Sequence, residues 1–192
     1  LDLHQAARQF ATVFETPQQA HWPRFAGRDR APWRRLKIGF VSPDLRDHAV
    51  MYFVEGLLAQ LDRRQFEVFA FFLYPRGDAV TERVQRHVDH FIHLANCTPA
   101  EQAAAIRSHE IDIVVDLAGH TGHNALLALA SKPAPIQVSW LGYPATTGLA
   151  AMDYRFTDEV TDAADAQDQY SEQLYRLPTF FCCYRPLLRN PL

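Results

Sequence analysis

Apolar and polar positions change their period along this chain. In the first stretch, Leu3, Ala6, Ala7, Phe10, Val13 and Phe14 recur at three- and four-residue intervals. That spacing lays one apolar stripe along an α-helix. Pro17 and Pro23 then close the helical pattern and open a linker. From Leu36 onward, short apolar runs with strand character take over, at 36–41, 66–73, 90–94, 111–117, 136–141, 154–157 and 174–177. Amphipathic stretches separate most of them, near 50–61, 80–88, 99–109, 124–131 and 163–171. Strands alternating with helices predict an α/β fold, a mostly parallel sheet covered by helices on both faces. The period does not set the strand order, and no internal repeat of tetratricopeptide type is visible. The chain therefore divides into a helix and linker over 1–35 and a lobe over 36–192.

Composition narrows the class. A chain of 192 residues with 48% apolar content holds one sizeable domain with a real core. The net charge is −3, and the basic residues are dispersed. The one dense cluster (Arg24, Arg28, Arg30, Arg34, Arg35) is broken by Asp29, Pro32 and Gly27, so it reads as a solvated linker rather than a nucleic-acid surface. No apolar run approaches the ~20 residues of a membrane span. The first residue is not Met, which leaves a removed segment or an excised domain open. Cys97, Cys182 and Cys183 form no CxxC pattern. That argues against a zinc site and for reduced thiols in a cytoplasmic protein.

Four places could carry chemistry. At 133–148 the chain reads PAPIQVSWLGYPATTG. Ile136, Val138 and Trp140 alternate with Gln137 and Ser139, a buried strand, and the alternation puts Trp140 in the core. The strand runs into Leu141, Gly142, Tyr143 and Pro144, then Thr146, Thr147 and Gly148. Ligands of open α/β sheets sit at such carboxyl ends, and a glycine lets them approach bare backbone. Asp44, Asp47 and His48 follow the first strand. Either aspartate can cap the next helix, whose free amides suit an anion, and His48 can hydrogen-bond or shuttle a proton near neutral pH. The residues alone equally allow a surface-loop histidine. Gly119, His120, Thr121 and Gly122 follow the 111–117 strand. They form either a ligand-facing loop or a plain turn in which Thr121 caps the helix at Asn124. His4 sits on the first helix, displaced from its apolar stripe. No GxGxxG fingerprint, serine-hydrolase elbow or metal-ligand cluster is present. Asp153 and Asp158 flank a strand without forming a glycosidase-type pair.

These segments resemble the O-linked N-acetylglucosaminyltransferase family. LKIGFVSPDLRDHAV is similar to its first catalytic strand and histidine loop, and DIVVDLAGHTGHN to its strand and Gly-x-Thr turn. PAPIQVSWLGYPATTG matches its signature, and MDYRFTDEVTDAADAQDQYSEQLYRLPTFF resembles the end of the same lobe. The resemblance covers roughly 36–181 in order. It implies the first Rossmann-like lobe of a two-lobed, GT-B-type enzyme. Such an enzyme moves N-acetylglucosamine from UDP-GlcNAc to Ser or Thr of proteins, with inversion and without a metal or other cofactor.

The resemblance further implies a substrate-contacting His48 and a general-base role for His4. It puts the sugar against Leu141 and Gly142, with Tyr143, Pro144, Thr147, Asp47, Gly119, His120 and Thr121 lining the cleft. Partners implied are a protein acceptor, an upstream tetratricopeptide region and a second lobe holding most nucleotide contacts. Where the common family pattern has Pro and Thr after the histidine, this chain has Ala49 and Val50, so a hydroxyl is lost. Other donors (fucose to oxygen, glucose to Asn) and a non-catalytic partner-binding module stay open.

Overall fold

The computed structural model describes residues 2–184. Seven strands form one parallel sheet in the order β3-β2-β1-β4-β5-β6-β7. They are β1 (Leu36–Ser42), β2 (Phe66–Phe72), β3 (His90–His93), β4 (Ile113–Asp116), β5 (Ile136–Ser139), β6 (Tyr154–Thr157) and β7 (Gln173–Arg176). The helices are α1 (Leu3–Phe14), α2 (Met51–Gln60), α3 (Ala79–Arg86), α4 (Pro99–Ser108) and the single turn α5 (Leu126–Leu129). β2 shows why the central strands read as continuous apolar runs. Phe69 and Phe71 point into one core with Ile106, Val114 and Leu129. Val68, Ala70 and Phe72 point into the other, with Val54, Leu58 and Val84. A strand buried on both faces has no polar side to show.

The strand order reverses between β1 and β4, two strands far apart in sequence. The crevice outside their carboxyl ends is where a doubly wound sheet accepts a ligand. The β1–α2 and β4–α5 loops both open there.

Three expectations need correction. The stretch 163–171 is no helix, only a 3₁₀ turn at Ala166–Gln169. It lacks an apolar stripe to bury, and its polar groups bond outward. Arg176 donates to the Asp162 and Ala163 carbonyls, and Gln167 donates to the Glu172 carbonyl and accepts the Leu174 N–H. α5 is shorter than its pattern: Ala125 leaves helical backbone ahead of it (φ −105°, ψ 11°), Ala130 caps its end, and Lys132 turns left-handed (φ 51°) just beyond. The arginine cluster is no free linker either. Arg28 and Arg34 reach Asp112 at 3.1 and 2.6 Å, tying the segment to the start of β4.

α1 docks differently from its stripe. Ala7 and Ala11 are buried, whereas Leu3 and Val13 stay 65% and 62% exposed. The docking is backbone-close. A Cβ on Gly148 (φ 79°) would sit 2.2 Å from the Ala7 carbonyl oxygen. Just past the helix, buried Glu15 accepts the Ala150 and Ala151 N–H groups at 2.9 and 2.7 Å. His4 precedes Ala7 by one turn and is half-buried, so it lies on the docked side rather than away from it.

Candidate active site at the carboxyl end of the sheet

The β1 loop is held from within. The Asp44 N–H donates to the Ser42 hydroxyl at 2.9 Å, and the carboxylate of Asp44 stays buried beneath the loop. Neither Asp44 nor Asp47 caps α2, contrary to expectation. Val50 occupies the cap position with no side-chain bond, and its N–H donates to His48 Nδ1 at 3.3 Å. Asp44 Oδ2 lies 3.7 Å from the same nitrogen. Nδ1 is therefore used inside the loop, and Nε2 is the His48 atom left for a ligand. Asp47 is exposed, and its N–H donates to Asp78 at 2.7 Å. Burial works to raise the Asp78 pKa, but the N–H groups of Asp47, Thr81 and Val80 outweigh it and hold it low. Arg46 lays its guanidinium 4.3 Å over the Tyr74 ring and 3.5 Å from Asp44.

The β4 loop turns on a fully buried carboxylate. Asp116 accepts the N–H of Ala118 at 3.2 Å and of Gly119 at 2.8 Å. Burial pushes its pKa up to about 6 against those two bonds, with Glu172 adding repulsion. Gly119 is left-handed (φ 55°), and a Cβ there would strike the Tyr143 Cβ at 2.5 Å. His120 Nε2 lies 2.8 Å from the Thr147 carbonyl oxygen. Its ring sits edge-on to Phe10 of α1 at 5.1 Å and to Tyr143 at 5.4 Å. Thr121 does not cap α5. Its hydroxyl donates to the Ala118 carbonyl, and Asn124 takes the Leu126 N–H instead.

The β5 loop completes the end. Trp140 is core as expected, its indole N–H donating to the Phe181 carbonyl at 2.7 Å. Leu141 is left-handed (φ 63°) and half-buried, while Gly142 and Pro144 are exposed. Gly142 has a different first duty from the one its motif suggests. A Cβ there would lie 2.0 Å from the Leu117 carbonyl oxygen and 2.9 Å from the Ala118 Cα. The glycine lets the β5 loop press onto the β4 loop. Thr147 is likewise no ligand hydroxyl in this structure. It is fully buried and bonds Glu172, as does Thr146. Arg155, 3% exposed, donates to the Tyr143 and Ala145 carbonyls from below.

The fold thus gathers His48, the 119–121 turn and the 141–144 wall at one end of the sheet, and α1 brings Phe10 against His120. Among the described residues, no hydrogen bond or ring contact ties the His4 side chain to these loops, and its backbone N–H donates to Asp2. Glu15, Arg46, Asp116, Arg155 and Glu172 escaped the sequence reading. Only Asp116 left a signal there, an acid at the end of an apolar strand. Among the described residues, no group of three or more His, Cys, Asp or Glu could hold a metal. A cavity of about 540 Å³ lined by Arg30, Trp33, Arg34, Arg64 and Phe66 opens at the opposite end of the sheet and includes no candidate residue.

The described residues contain no helix long and apolar enough to cross a membrane. The family model described as glycosyl transferase family 41 matches residues 4–186. The SPINDLY protein of Solanum lycopersicum, named a probable UDP-N-acetylglucosamine–peptide N-acetylglucosaminyltransferase, is 37% identical over 190 residues, 96% of this chain and 20% of that protein. Its namesake in Oryza sativa is 38% identical over the same shares. Among solved structures, a mutant O-GlcNAc transferase of Thermobaculum terrenum superposes with a TM-score of 0.87 at 38% identity, covering 93% of this chain and 34% of that one. The chain spans about a fifth of the length of these plant relatives. With the match running from α1 past the last strand and through every loop of the site, this chain belongs to glycosyl transferase family 41.

Proposed function

We propose that the protein carrying this chain is an inverting glycosyltransferase that moves N-acetylglucosamine from UDP-GlcNAc to Ser or Thr hydroxyls of proteins. In this reading the chain forms one wall of the active cleft. One observation carries it. The three loops that meet outside β1, β4 and β5 come from distant parts of the chain, yet they are the segments that carry the family resemblance. The names of the plant and bacterial relatives support the donor and the reaction.

In the reaction a base assists the attacking hydroxyl, and negative charge grows on the departing diphosphate. His48 offers Nε2 to the substrate, because Nδ1 is occupied by Val50. His4, carried on the docked side of α1, is the second candidate for proton transfer. Leu141, Gly142, Tyr143 and Pro144 line the sugar, beside Asp47 and the turn of Gly119, His120 and Thr121. A second lobe supplies the uridine pocket and most phosphate donors, an upstream tetratricopeptide region presents the acceptor, no metal takes part, and the protein works in the cytoplasm.

A transfer assay on the full-length protein with UDP-GlcNAc, UDP-glucose and GDP-fucose tests the donor. UDP-GlcNAc is expected to be used, and preference for another donor overturns the assignment. Residues 1–192 alone are expected to transfer nothing and to bind UDP only weakly, and calorimetric UDP binding in the micromolar range would contradict this.

A further inference from the structure

Glu172 is fully buried, and none of the ion pairs among the described residues includes it. A buried carboxylate without a cation is costly unless its oxygens are fully hydrogen-bonded. Here the bonds from side chains and backbone come from one short strip of loop. Thr146 Oγ1 donates to Oε2 at 2.6 Å, the Thr147 N–H donates to Oε1 at 2.7 Å, and the Thr147 hydroxyl donates to the same oxygen. The two hydroxyls pass the charge onward. Thr146 Oγ1 accepts the Gly148 and Ser171 N–H groups at 3.0 and 3.1 Å, and Thr147 Oγ1 accepts that of Leu149 at 3.3 Å. If this site served packing alone, an apolar or neutral side chain would fill it at lower cost.

The strip leads to the cleft in two directions. Thr147 presents its carbonyl to His120 Nε2, so in the neutral ring Nε2 carries the proton and Nδ1 keeps its lone pair. Upstream, the strip continues into Ala145 and Tyr143, whose carbonyls Arg155 holds. We propose that Glu172 is a positioning residue for the cleft: through Thr146 and Thr147 it fixes the 141–144 wall and sets the tautomer of His120. The proposal rests on the glycosyltransferase reading for its effect on sugar transfer. Its structural half stands apart from that reading.

The test uses the full-length protein with Glu172→Gln, which keeps the shape and removes the charge. Its amide nitrogen meets a Thr146 oxygen already accepting two N–H groups. The KM for UDP-GlcNAc is expected to rise about tenfold or more while kcat falls less than about threefold, because ground-state placement of the sugar is what loosens. Amide exchange should quicken about tenfold at 146–149 and stay unchanged in β1 and β2. With ¹⁵N-labelled histidine, the His120 ring should lose its single Nε2–H signature. Thr147→Ser, which keeps the hydroxyl and N–H, should stay within about twofold of wild type. Should Glu172→Gln fail to fold, Thr146→Val withdraws one donor and leaves the Thr147 bonds, with the same readouts expected at about threefold. Unchanged KM, exchange and ring spectrum overturn the proposal. So does a loss of exchange protection spread evenly over the sheet, which marks a purely structural role. If the wild-type protein transfers no sugar, the functional reading fails, while exchange and the ring spectrum still decide the role of Glu172.

Discussion

One strand carries an aspartate at each end, and the two behave oppositely. Asp112 enters β4 and Asp116 leaves it. Asp112 faces Arg28 and Arg34 and takes the Lys37 N–H at 2.9 Å. Burial works to raise its pKa, but those partners overcome it and hold the carboxyl below the usual range. Asp116 meets only backbone N–H groups, and burial wins, lifting it to about 6. The contrast extends beyond β4. At the amino end Asp89 pairs with Arg35 and Arg63, an ordinary ion-pair rim. In the loops around the site, Glu15, Asp116 and Glu172, the last just ahead of β7, spend their oxygens on backbone N–H groups and threonine hydroxyls. The first arrangement ties segments together. The second shapes loops, and at His120 it engages Nε2 through the Thr147 carbonyl.

The largest expected effect lies where those loops touch. Gly142→Val drives a side chain into the Leu117 carbonyl and should cost at least about 3 kcal/mol in denaturant unfolding, whereas Gly122→Ala, facing open space, should stay within about 0.5 kcal/mol. Equal stability of the two variants would dissolve the idea that the two loops are locked face to face.

Next comes chemistry without architecture. In the full-length protein, the proposed function predicts that His48→Ala lowers sugar transfer by roughly 100-fold with an unchanged melting temperature. An undiminished rate returns His48 to a surface role.

The amino end should show the reverse pattern. Asp112→Ala leaves two half-buried guanidinium groups without their partner and should cost about 2 kcal/mol at pH 7 while transfer stays near wild type. Because the folded pKa of Asp112 is depressed, its stabilisation is present above the unfolded value of about 4 and fades as pH falls below it. A stability gap that persists at acid pH would mean packing, not charge, holds the segment.

The smallest effect has the opposite sign. With its folded pKa raised, Asp116 favours folding below about pH 4, and this contribution is lost as pH climbs through about 6. Asp116→Asn should therefore gain on wild type between pH 4 and 7, by on the order of 1 kcal/mol after the loop relaxes around the lost acceptor. Melting temperatures across that range check it, and parallel curves for the two proteins would place Asp116 in contact with water.

Much of the lobe was legible before any coordinates. The strand at 36–41 lies within Leu36–Ser42, and that at 90–94 ends one residue past His93. Apolar runs buried on two faces are hard to mistake. The stretch at 163–171, read as amphipathic, misled because a helix this short holds only when some face can be buried. The stripe on α1 misled for a related reason. Close backbone docking onto Gly148 selects the small residues Ala7 and Ala11, so the bulky apolar ones were left outside.

The sequence by itself determined the alternation of strands and helices, the family, and which loops carry the candidate chemistry. All of these follow from local periodicity and contiguous motifs. Only the tertiary structure decided that β1 and β4 are neighbours, so that the His48 loop and the 119–121 turn open at the same end of adjacent strands. It alone showed that Gly142 answers to Leu117, that Thr147 is buried, and that Glu15 and Glu172 hold the loops from below. The physical reason is common to all of them. A carboxylate's role depends on which donors surround it after folding, and a glycine's on which backbone passes within 4 Å, and neither is written in the residues beside them.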